Sequence, residues 1–349
     1  MFEIELLDYR DPLFGIIVIF LFIFITSFLT YTFGIYKEKK SRTEYRKLLK
    51  RFELGNLKEE DYVNLYATYN LPFDSIILLA SSFIHKGKYN KAVSVYLTLL
   101  EHVNDRTKKE ELLELLGNAY FKSGLLQRSK DIYIKILKFN PRNKIALHHL
   151  LLIFQNLKEY SRAGEILNAL EELDEDVIKE KIYLNVLQII NDPLLSFEVK
   201  SNQLYNNFNI NRSLERLVAD FLIKFNKKLF WEHIDKFNHL KIIDLLWYFD
   251  FDDIDFDKVS QHKILEDIYS AKGYIETSKQ SEQFELAILI SVRNSTSKVD
   301  IDLNFEFICG KCKKSHPIYE SRCPHCHSIL TFKVQPKISK KILSMGSLV

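Results

Sequence analysis

The segment Leu113-Glu-Leu-Leu-Gly-Asn-Ala-Tyr120 begins the pattern that decides the fold of this chain. Its apolar residues recur at three- and four-residue spacing, which indicates one buried face of a helix. Gly124 follows where a turn must join this helix to the next one. A second apolar series from Ser129 to Ile136 has the same spacing and predicts the partner helix.

This helix pair occurs three times in succession. The residues at equivalent positions in the first copy are Ile76, Leu79, Ala80, Phe83, Ala92, Tyr96 and Leu99. In the second copy they are Leu113, Leu116, Gly117, Tyr120, Ser129, Tyr133 and Ile136, and in the third copy they are Leu147, Leu150, Leu151, Phe154, Ala163, Leu167 and Leu170. The third copy follows the second by 34 residues, which is the period of the tetratricopeptide repeat. Three copies meet the minimum for a stable stack.

Small residues in these copies allow the paired helices to approach closely, and aromatic residues fill the gaps between them. We therefore predict a mainly α fold with a tetratricopeptide-type α-solenoid over residues 71–298. From Leu173 to Lys298 the signature fades while the helical spacing persists, so further helix pairs are expected. Turns with capping residues are expected at Asn191-Asp-Pro193 and Asn211-Arg-Ser213. The concave surface of such a solenoid usually binds a peptide or another protein.

An uncharged segment from Pro12 to Tyr36 is long enough for a helix to cross the hydrocarbon layer of a membrane. Residues 1–36 are therefore predicted to contain an N-terminal single transmembrane helix, and residues 37–70 a basic juxtamembrane helix and linker. The amino flank is acidic, which disfavours a cleaved secretory signal. The carboxyl flank carries the basic residues Lys37, Lys39, Lys40, Arg42, Arg46, Lys47, Lys50 and Arg51. This charge pattern predicts that the body of the chain stays in the cytoplasm. A buried core helix is the alternative.

All four cysteines fall in two pairs near the carboxyl end, Cys309-Gly-Lys-Cys312 and Cys323-Pro-His-Cys326. Two such pairs can offer four thiolates to one tetrahedral metal ion, which predicts a closed structural zinc site. Iron is also accepted by four thiolates. The alternative is two disulfides or four unrelated thiols, but nothing else in the sequence suggests an oxidising compartment. Because four cysteines leave no open coordination position, metal-assisted hydrolysis is not expected.

Alternating residues on both sides of the cysteines predict short strands, Val299 to Ile308 and Ser328 to Val334. Residues 299–335 are therefore predicted to form a small rubredoxin-like zinc ribbon, followed by a basic tail over residues 336–349. Such a short segment cannot bury a core of its own, so metal binding must supply most of its folding energy. The side chains that could compete as ligands are His316, His325 and His327, which we interpret as solvent-facing turn residues.

Other functions find little support. The net charge of +3 on 349 residues is near zero, so a broad nucleic-acid interface is not expected. Basic residues in the ribbon and tail could touch RNA or anionic lipid, although a solvated face explains them as well. The aromatic and acidic segment Trp247 to Asp257 is interpreted as a loop with helix caps, and of His148 and His149 at most one can face inward. Motifs of common enzymes are absent, so we predict no catalytic residues and no enzyme.

The order of parts, together with Phe307-Ile-Cys-Gly-Lys-Cys312 and Tyr319-Glu-Ser-Arg-Cys-Pro-His-Cys326, resembles the lipopolysaccharide assembly protein B family. The resemblance implies that the four cysteines bind the metal and that the ribbon packs against the helical repeats. It also implies a membrane-anchored adaptor in the bacterial inner membrane that links an FtsH-type membrane protease to the lipid A deacetylase. Proteolysis of the deacetylase then limits lipopolysaccharide synthesis.

The ribbon differs from the usual rubredoxin pattern in two ways. Glycine commonly follows the second cysteine of each pair, but this chain has Lys313 and His327 there. Both tryptophans, Trp231 and Trp247, also lie before the ribbon. Two other interpretations therefore stay open: a general tetratricopeptide scaffold for envelope assembly or secretion, and a redox or nucleic-acid-binding ribbon protein. The anchor could in addition support homo-oligomers.

Overall fold

The computed structural model describes residues 12–53, 58, 61–62, 64–65, 72–276, 281–295 and 301–340. Helices occupy most of these residues and a small sheet lies near the carboxyl end, which confirms the predicted mainly α fold. The chain forms two compact units, Met1–Ile153 and Phe154–Val349. The acidic amino flank and residues 341–349 of the predicted tail lie outside the described residues.

Helix α1 covers Pro12–Glu53, a length of 42 residues. Its stretch Ile16–Lys37 has a mean hydropathy of 2.5 and none of it is buried. At about 1.5 Å per residue these 22 residues extend about 33 Å, enough to cross a hydrocarbon layer of about 30 Å. The stretch is therefore a candidate membrane span, as the sequence predicts. The helix continues without interruption through the basic flank to Glu53.

The first two predicted repeats form helix pairs, and the third corresponds to two helices, one on each side of the boundary between the units. The helices are α2 (Phe73–His85), α3 (Tyr89–His102), α4 (Arg106–Lys122), α5 (Leu126–Phe139), α6 (Lys144–Asn156) and α7 (Tyr160–Glu171). All of the aligned repeat residues are buried, except that the side chain of Leu79 lies outside the described residues. Gly87 and Gly124 occupy the first two turns with φ of 68° and 80°, a backbone conformation that glycine adopts without strain. The third turn uses Lys158 instead, with φ of 60°.

Helices α4 and α5 approach each other closely at Gly117. A Cβ atom at this position would lie 2.8 Å from Cζ of Tyr133, whose ring is fully buried. The hydroxyl of Ser129 donates to the carbonyl oxygen of Gly117 at 2.8 Å and ties the two helices together. His149 stacks on the Tyr133 ring with 4.6 Å between the ring centroids, while His148 is exposed. Only one of the two histidines faces inward, as predicted.

The second unit continues with the helix pair α8 (Ile178–Asn191) and α9 (Phe197–Ile210). The turns before and after α9 carry the expected caps, because Asp192 accepts from the amide of Leu194 and Asn211 from that of Ser213. This pair is one of the further helix pairs expected from the sequence, and beyond it the pairing becomes less regular. The helices are shorter, namely α10 (Glu215–Phe225), α11 (Lys227–Glu232), α12 (Ile243–Trp247), α13 (Phe256–Val259), α14 (Lys263–Lys272) and α15 (Phe284–Asn294).

Frequent capping explains these short helices. Asn226, Asn238 and Asp255 each accept a hydrogen bond from an amide two or three residues later, so each starts a new helical turn. Four short 3₁₀ segments lie between the α-helices: Arg212–Leu214, Ile234–Lys236, His239–Ile242 and Phe251–Asp253. Local polar side chains thus override the apolar spacing that predicts longer helices.

The sheet has three antiparallel strands in the order β2-β1-β3. They are β1 (Ile301–Cys309), β2 (Ser315–His316) and β3 (Phe332–Lys340). The predicted second strand therefore starts later than Ser328 and continues through Pro336, so residues 336–340 belong to the sheet rather than to a tail. Proline is tolerated because β3 is an edge strand, where a missing amide donor breaks no pairing.

Candidate metal centre

The four cysteines of the ribbon meet at one point. Their Sγ atoms all lie within 4.8 Å of one another, with 3.6 Å between Cys309 and Cys326 and 3.8 Å between Cys312 and Cys323. An ion bound tetrahedrally at about 2.3 Å from each sulfur would separate its ligands by about 3.8 Å. Disulfide sulfurs lie only about 2.05 Å apart, and all four cysteines are free thiols. The cluster could therefore hold one metal ion, and its donor set suits zinc and iron alike.

The two cysteine pairs lie in backbone turns of the same shape. The amide of Lys313 donates to the carbonyl of Cys309, and that of His327 to the carbonyl of Cys323, both at 2.9 Å. Lys313 and His327 have φ of 62° and 58°, a left-handed conformation that favours glycine. The ribbon thus keeps the turn geometry at the two positions where its sequence lacks the usual glycines.

Hydroxyl groups surround one side of the sulfur cluster. Ser328 Oγ lies 3.2 Å from Cys326 Sγ and 3.4 Å from Cys309 Sγ, while Thr331 Oγ1 lies 3.5 Å from Cys309 Sγ. Burial raises the pKa of the Cys309 thiol, but hydrogen bonds from these hydroxyls and from nearby amides outweigh it and lower the pKa to about 5. At Cys323 burial dominates and raises the pKa. The hydroxyls therefore favour negative charge on the side of the cluster that they face.

The three histidines near the cysteines lie outside the group of sulfur atoms. His316 Nε2 is 3.9 Å from Cys323 Sγ, which makes it a neighbour of the cluster rather than a fifth donor at bonding distance. His325 is exposed. His327 forms the left-handed turn described above.

Arg322, the residue before Cys323, joins the ribbon to the helices of the same unit. Its guanidinium donates to both carboxylate oxygens of Glu180 on α8, at 3.0 and 2.6 Å, and to Gln155 Oε1 on α6 at 2.7 Å. It also donates to the carbonyl of His327 at 2.7 Å and lies over the Tyr183 ring at 5.3 Å. One side chain therefore connects the second cysteine turn to two helices.

A second arginine forms a similar connection from the helical side. Arg216 on α10 forms a bidentate ion pair with the buried Asp244, and its guanidinium lies 4.4 Å from the ring centre of Tyr319 in the ribbon. Tyr319 in turn packs edge-on against Phe307 of β1 and Phe332 of β3. This arrangement places a desolvated cation on an aromatic face, a favourable contact.

The ribbon and the helices of the second unit share one hydrophobic core. Leu303, Phe305 and Phe307 of β1 belong to the same buried cluster as residues of α10 to α15. Trp247 on α12 donates from its indole nitrogen to Asp302 at 3.2 Å. A tryptophan outside the ribbon thus contacts it across the interface. These contact residues could not be predicted from the sequence, because no local spacing marks a side chain that packs on a distant strand.

The aromatic and acidic segment Trp247 to Asp257 forms a loop with caps, as predicted. Asp255 accepts from the amide of Lys258 at 3.1 Å and caps α13, while Asp253 pairs with Lys227. The carboxylates of Asp253 and Asp255 therefore have structural partners within the second unit.

The fold and the cysteine cluster define a class: a scaffold-type tetratricopeptide protein with a candidate metal-binding ribbon. The tetratricopeptide repeat family matches residues 110–143, the second of the three copies.

The chain is also similar to lipopolysaccharide assembly protein B of Escherichia coli strain K12, with 28% identity over 102 residues. The protein of that name from Escherichia coli O157:H7 matches to the same extent. The match covers 29% of this chain and 26% of the relative, so it spans about a quarter of the curated proteins. The resemblance noted in the sequence is thereby confirmed as a similarity over that part of the chain.

Two solved structures also match. MamA 41-end from Desulfovibrio magneticus RS-1 is 20% identical, with a TM-score of 0.34 over 45% of this chain and 88% of that one. BtubC from P. vanneervenii is 17% identical, with a TM-score of 0.33 over 68% of this chain and 97% of that one.

Proposed function

We propose that this chain is a membrane-anchored cytosolic adaptor that regulates lipopolysaccharide assembly by presenting the lipid A deacetylase to an FtsH-type membrane protease. The observation that carries the proposal is the similarity to lipopolysaccharide assembly protein B, together with a repeat class that binds proteins. The chain itself needs no catalytic residues for this role. A membrane anchor confines both partners to one surface, and the raised effective concentration compensates for weak individual contacts.

The proposed orientation places the body of the chain in the cytoplasm of a bacterium, with α1 in the inner membrane. It is supported by the exposed apolar stretch Ile16–Lys37 and by the basic residues that follow it. Protease treatment of spheroplasts tests it: the body should be protected until the inner membrane is opened. Digestion in intact spheroplasts would contradict the orientation.

In the proposed metal site, Cys309, Cys312, Cys323 and Cys326 bind one tetrahedral ion, with zinc as the first choice and iron as the alternative. The distances between the sulfur atoms support it, because they lie near the edge length of such a tetrahedron. The ion would hold the two turns together and so contribute folding free energy to the ribbon.

Elemental analysis of the purified chain tests this assignment. Cys323→Ser should lose the ion and expose the ribbon to protease, whereas Lys311→Ser, an exposed change within the first cysteine pair, should retain it. Full metal occupancy in the Cys323→Ser variant would show that the four-sulfur assignment is wrong.

The ribbon in turn holds the helices of the second unit in one arrangement. Arg322 and Trp247 provide polar contacts across this interface, and the shared core provides the apolar ones. We infer that metal binding is transmitted to the helices through Arg322, since this residue adjoins a ligand and contacts α6 and α8. The ribbon would therefore act as a structural clamp on the scaffold.

The lifetime of the lipid A deacetylase in cells tests the adaptor role. Depletion of the chain should lengthen this lifetime, and the full-length protein should restore it. A variant that lacks α1 should fail to restore it because it is no longer confined to the membrane. Lys333→Ala, an exposed change on β3, should behave like the natural chain.

An unchanged deacetylase lifetime after depletion would contradict the adaptor role. Capture of the chain from detergent extract then distinguishes the general scaffold, since recovery of other envelope proteins without the protease or the deacetylase would favour it. A reversible visible absorbance change of an iron-loaded chain would instead favour electron transfer.

A further inference from the structure

A cleft of about 440 Å³ opens in the first unit where the carboxyl ends of α3 and α5 meet the start of α4. Its apolar floor consists of Leu100, Leu113 and Phe139. Leu113 is buried, while Leu100 and Phe139 are half-buried and present apolar surface to the cleft. The volume lies in the range of small-ligand sites and accommodates a few side chains.

The rim of the cleft is basic. Three of its lining residues are cations, Arg106, Lys109 and Lys135, and one is an acid, Glu101. Arg106 has a structural role, because it donates to the carbonyl of Phe139 at 3.0 Å and lies over that ring. The side-chain ammonium groups of Lys109 and Lys135 form no hydrogen bond or ion pair within the part of the chain that the structure describes. Lys109 is half-buried, so its charge is available over an apolar floor.

We propose that this cleft binds a short acidic peptide segment in which an apolar side chain lies next to a carboxylate. The apolar side chain would pack on Leu113 and Phe139, and the carboxylate would accept hydrogen bonds from the two lysines. Apolar contact supplies affinity in such a site, and the charges supply orientation and selectivity. Three cations against one acid leave a positive rim that selects against basic peptides.

A peptide fits this cleft better than other anionic ligands do. A nucleic acid needs a row of cations along several phosphates, whereas the cleft offers two unpaired lysines beside an apolar floor. A lipid with several acyl chains would exceed the volume. The inference goes beyond the proposed function, because it rests on the cleft alone and does not depend on the identity of the protease or its substrate.

The test measures binding of two fluorescent peptide pools to the full-length chain in detergent. Both pools contain leucine and phenylalanine at randomised positions and differ only in carrying glutamate or lysine. The natural chain should retain the glutamate pool more strongly, by about tenfold, which corresponds to about 1.4 kcal/mol shared between the two lysines. The double variant Lys109→Glu, Lys135→Glu should lose this preference or reverse it.

The matched control is Lys86→Glu, Lys122→Glu, which makes the same change in net charge at two exposed lysines outside the cleft. It should keep the preference for the glutamate pool. Circular dichroism checks that each variant keeps its helix content. Equal retention of the two pools by the natural chain would overturn the proposal, and so would equal effects of the two double variants. Binding of anionic vesicles that the glutamate pool cannot displace would assign the cleft to lipid instead.

Discussion

Arg322 of the ribbon and Glu180 of α8 form a bidentate ion pair, with Nη1–Oε1 and Nη2–Oε2 distances of 3.0 and 2.6 Å. Their side chains are only 16% and 23% exposed, so water screens the pair weakly. Because Arg322 adjoins Cys323, this pair connects the candidate metal centre directly to the helical scaffold.

Substitution of Arg322 should weaken the attachment of the ribbon. Arg322→Ala should lower the free energy of unfolding by about 1.5–3 kcal/mol, the range for hydrogen bonds to charged groups. Arg322→Lys should recover only part of this loss, because an ammonium group cannot match the two oxygens of Glu180 as a guanidinium does. Thermal unfolding in detergent measures the effect, with Lys333→Ala as the control. Equal unfolding midpoints for Arg322→Ala and the control would contradict the importance of the pair.

Two glycines in helices should respond to alanine in opposite ways. Gly117→Ala places a Cβ 2.8 Å from the buried ring of Tyr133, and such overpacking should destabilise the chain by about 1–3 kcal/mol. Gly164→Ala places its Cβ 3.9 Å from Leu184, an ordinary contact, and should stabilise α7 by up to about 1 kcal/mol. The thermal unfolding midpoint should therefore move down for the first variant and up for the second. A higher unfolding midpoint for Gly117→Ala would show that the close contact with Tyr133 does not prevent a larger side chain at this position.

Lys313→Gly should stabilise the first cysteine turn. Lys313 has φ of 62°, a conformation that is less stable by roughly 1 kcal/mol for a residue with a Cβ atom than for glycine. The gain should appear as a higher unfolding midpoint of the metal-loaded chain. Lys314→Gly is the control, because Lys314 lacks a positive φ and glycine there only adds freedom to the unfolded chain. If both variants are destabilised alike, backbone strain at Lys313 is absent.

Ser328→Ala should weaken metal binding while leaving the four cysteines in place. Its hydroxyl lies within 3.4 Å of two sulfur atoms, those of Cys309 and Cys326. Loss of such outer contacts typically lowers metal affinity by about 10- to 100-fold, which competition with a chelator measures. Ser315→Ala removes a hydroxyl of the same ribbon that donates to Glu306 instead, and it should retain the natural affinity. Equal affinities of the two variants would speak against a role for Ser328.

Acidification should destabilise the first unit through His149. Burial lowers the pKa of His149 below its ordinary value of 6.5, and only its hydrogen bond to Ile145 opposes this effect. Between the two pKa values the unfolded chain binds more protons than the folded chain, so stability falls as the pH drops from about 6.5 towards the folded-state value. His149→Phe keeps a ring beside Tyr133 and should make the unfolding midpoint less dependent on pH in this interval. The pKa of His239 is also lowered by burial, so some dependence of stability on pH should remain in the His149→Phe variant. If the unfolding midpoint of His149→Phe depended on pH as strongly as that of the natural chain, His149 would not be a cause of the destabilisation by acid.

The repeats and the cysteine turns could be predicted because each depends on residues that are close in sequence. The spacing of Gly117, Ser129 and Tyr133 follows from the geometry of one helix pair, and the structure confirms that all three are buried. The shorter helices after Ile210 were missed. Their ends depend on caps such as Asn226 and Asn238, which compete with a helical pattern that the sequence continues.

By itself, the sequence determined the helices of the three repeats, the apolar stretch in α1 and the two cysteine turns, since periodicity and short-range spacing specify them. The tertiary structure alone decided how the ribbon is held. Arg322 meets Glu180 across 142 positions in the chain, and Trp247 meets Asp302 across 55. Such pairs carry no local signal, because each side chain is compatible with solvent until packing of the shared core brings its partner within hydrogen-bonding distance.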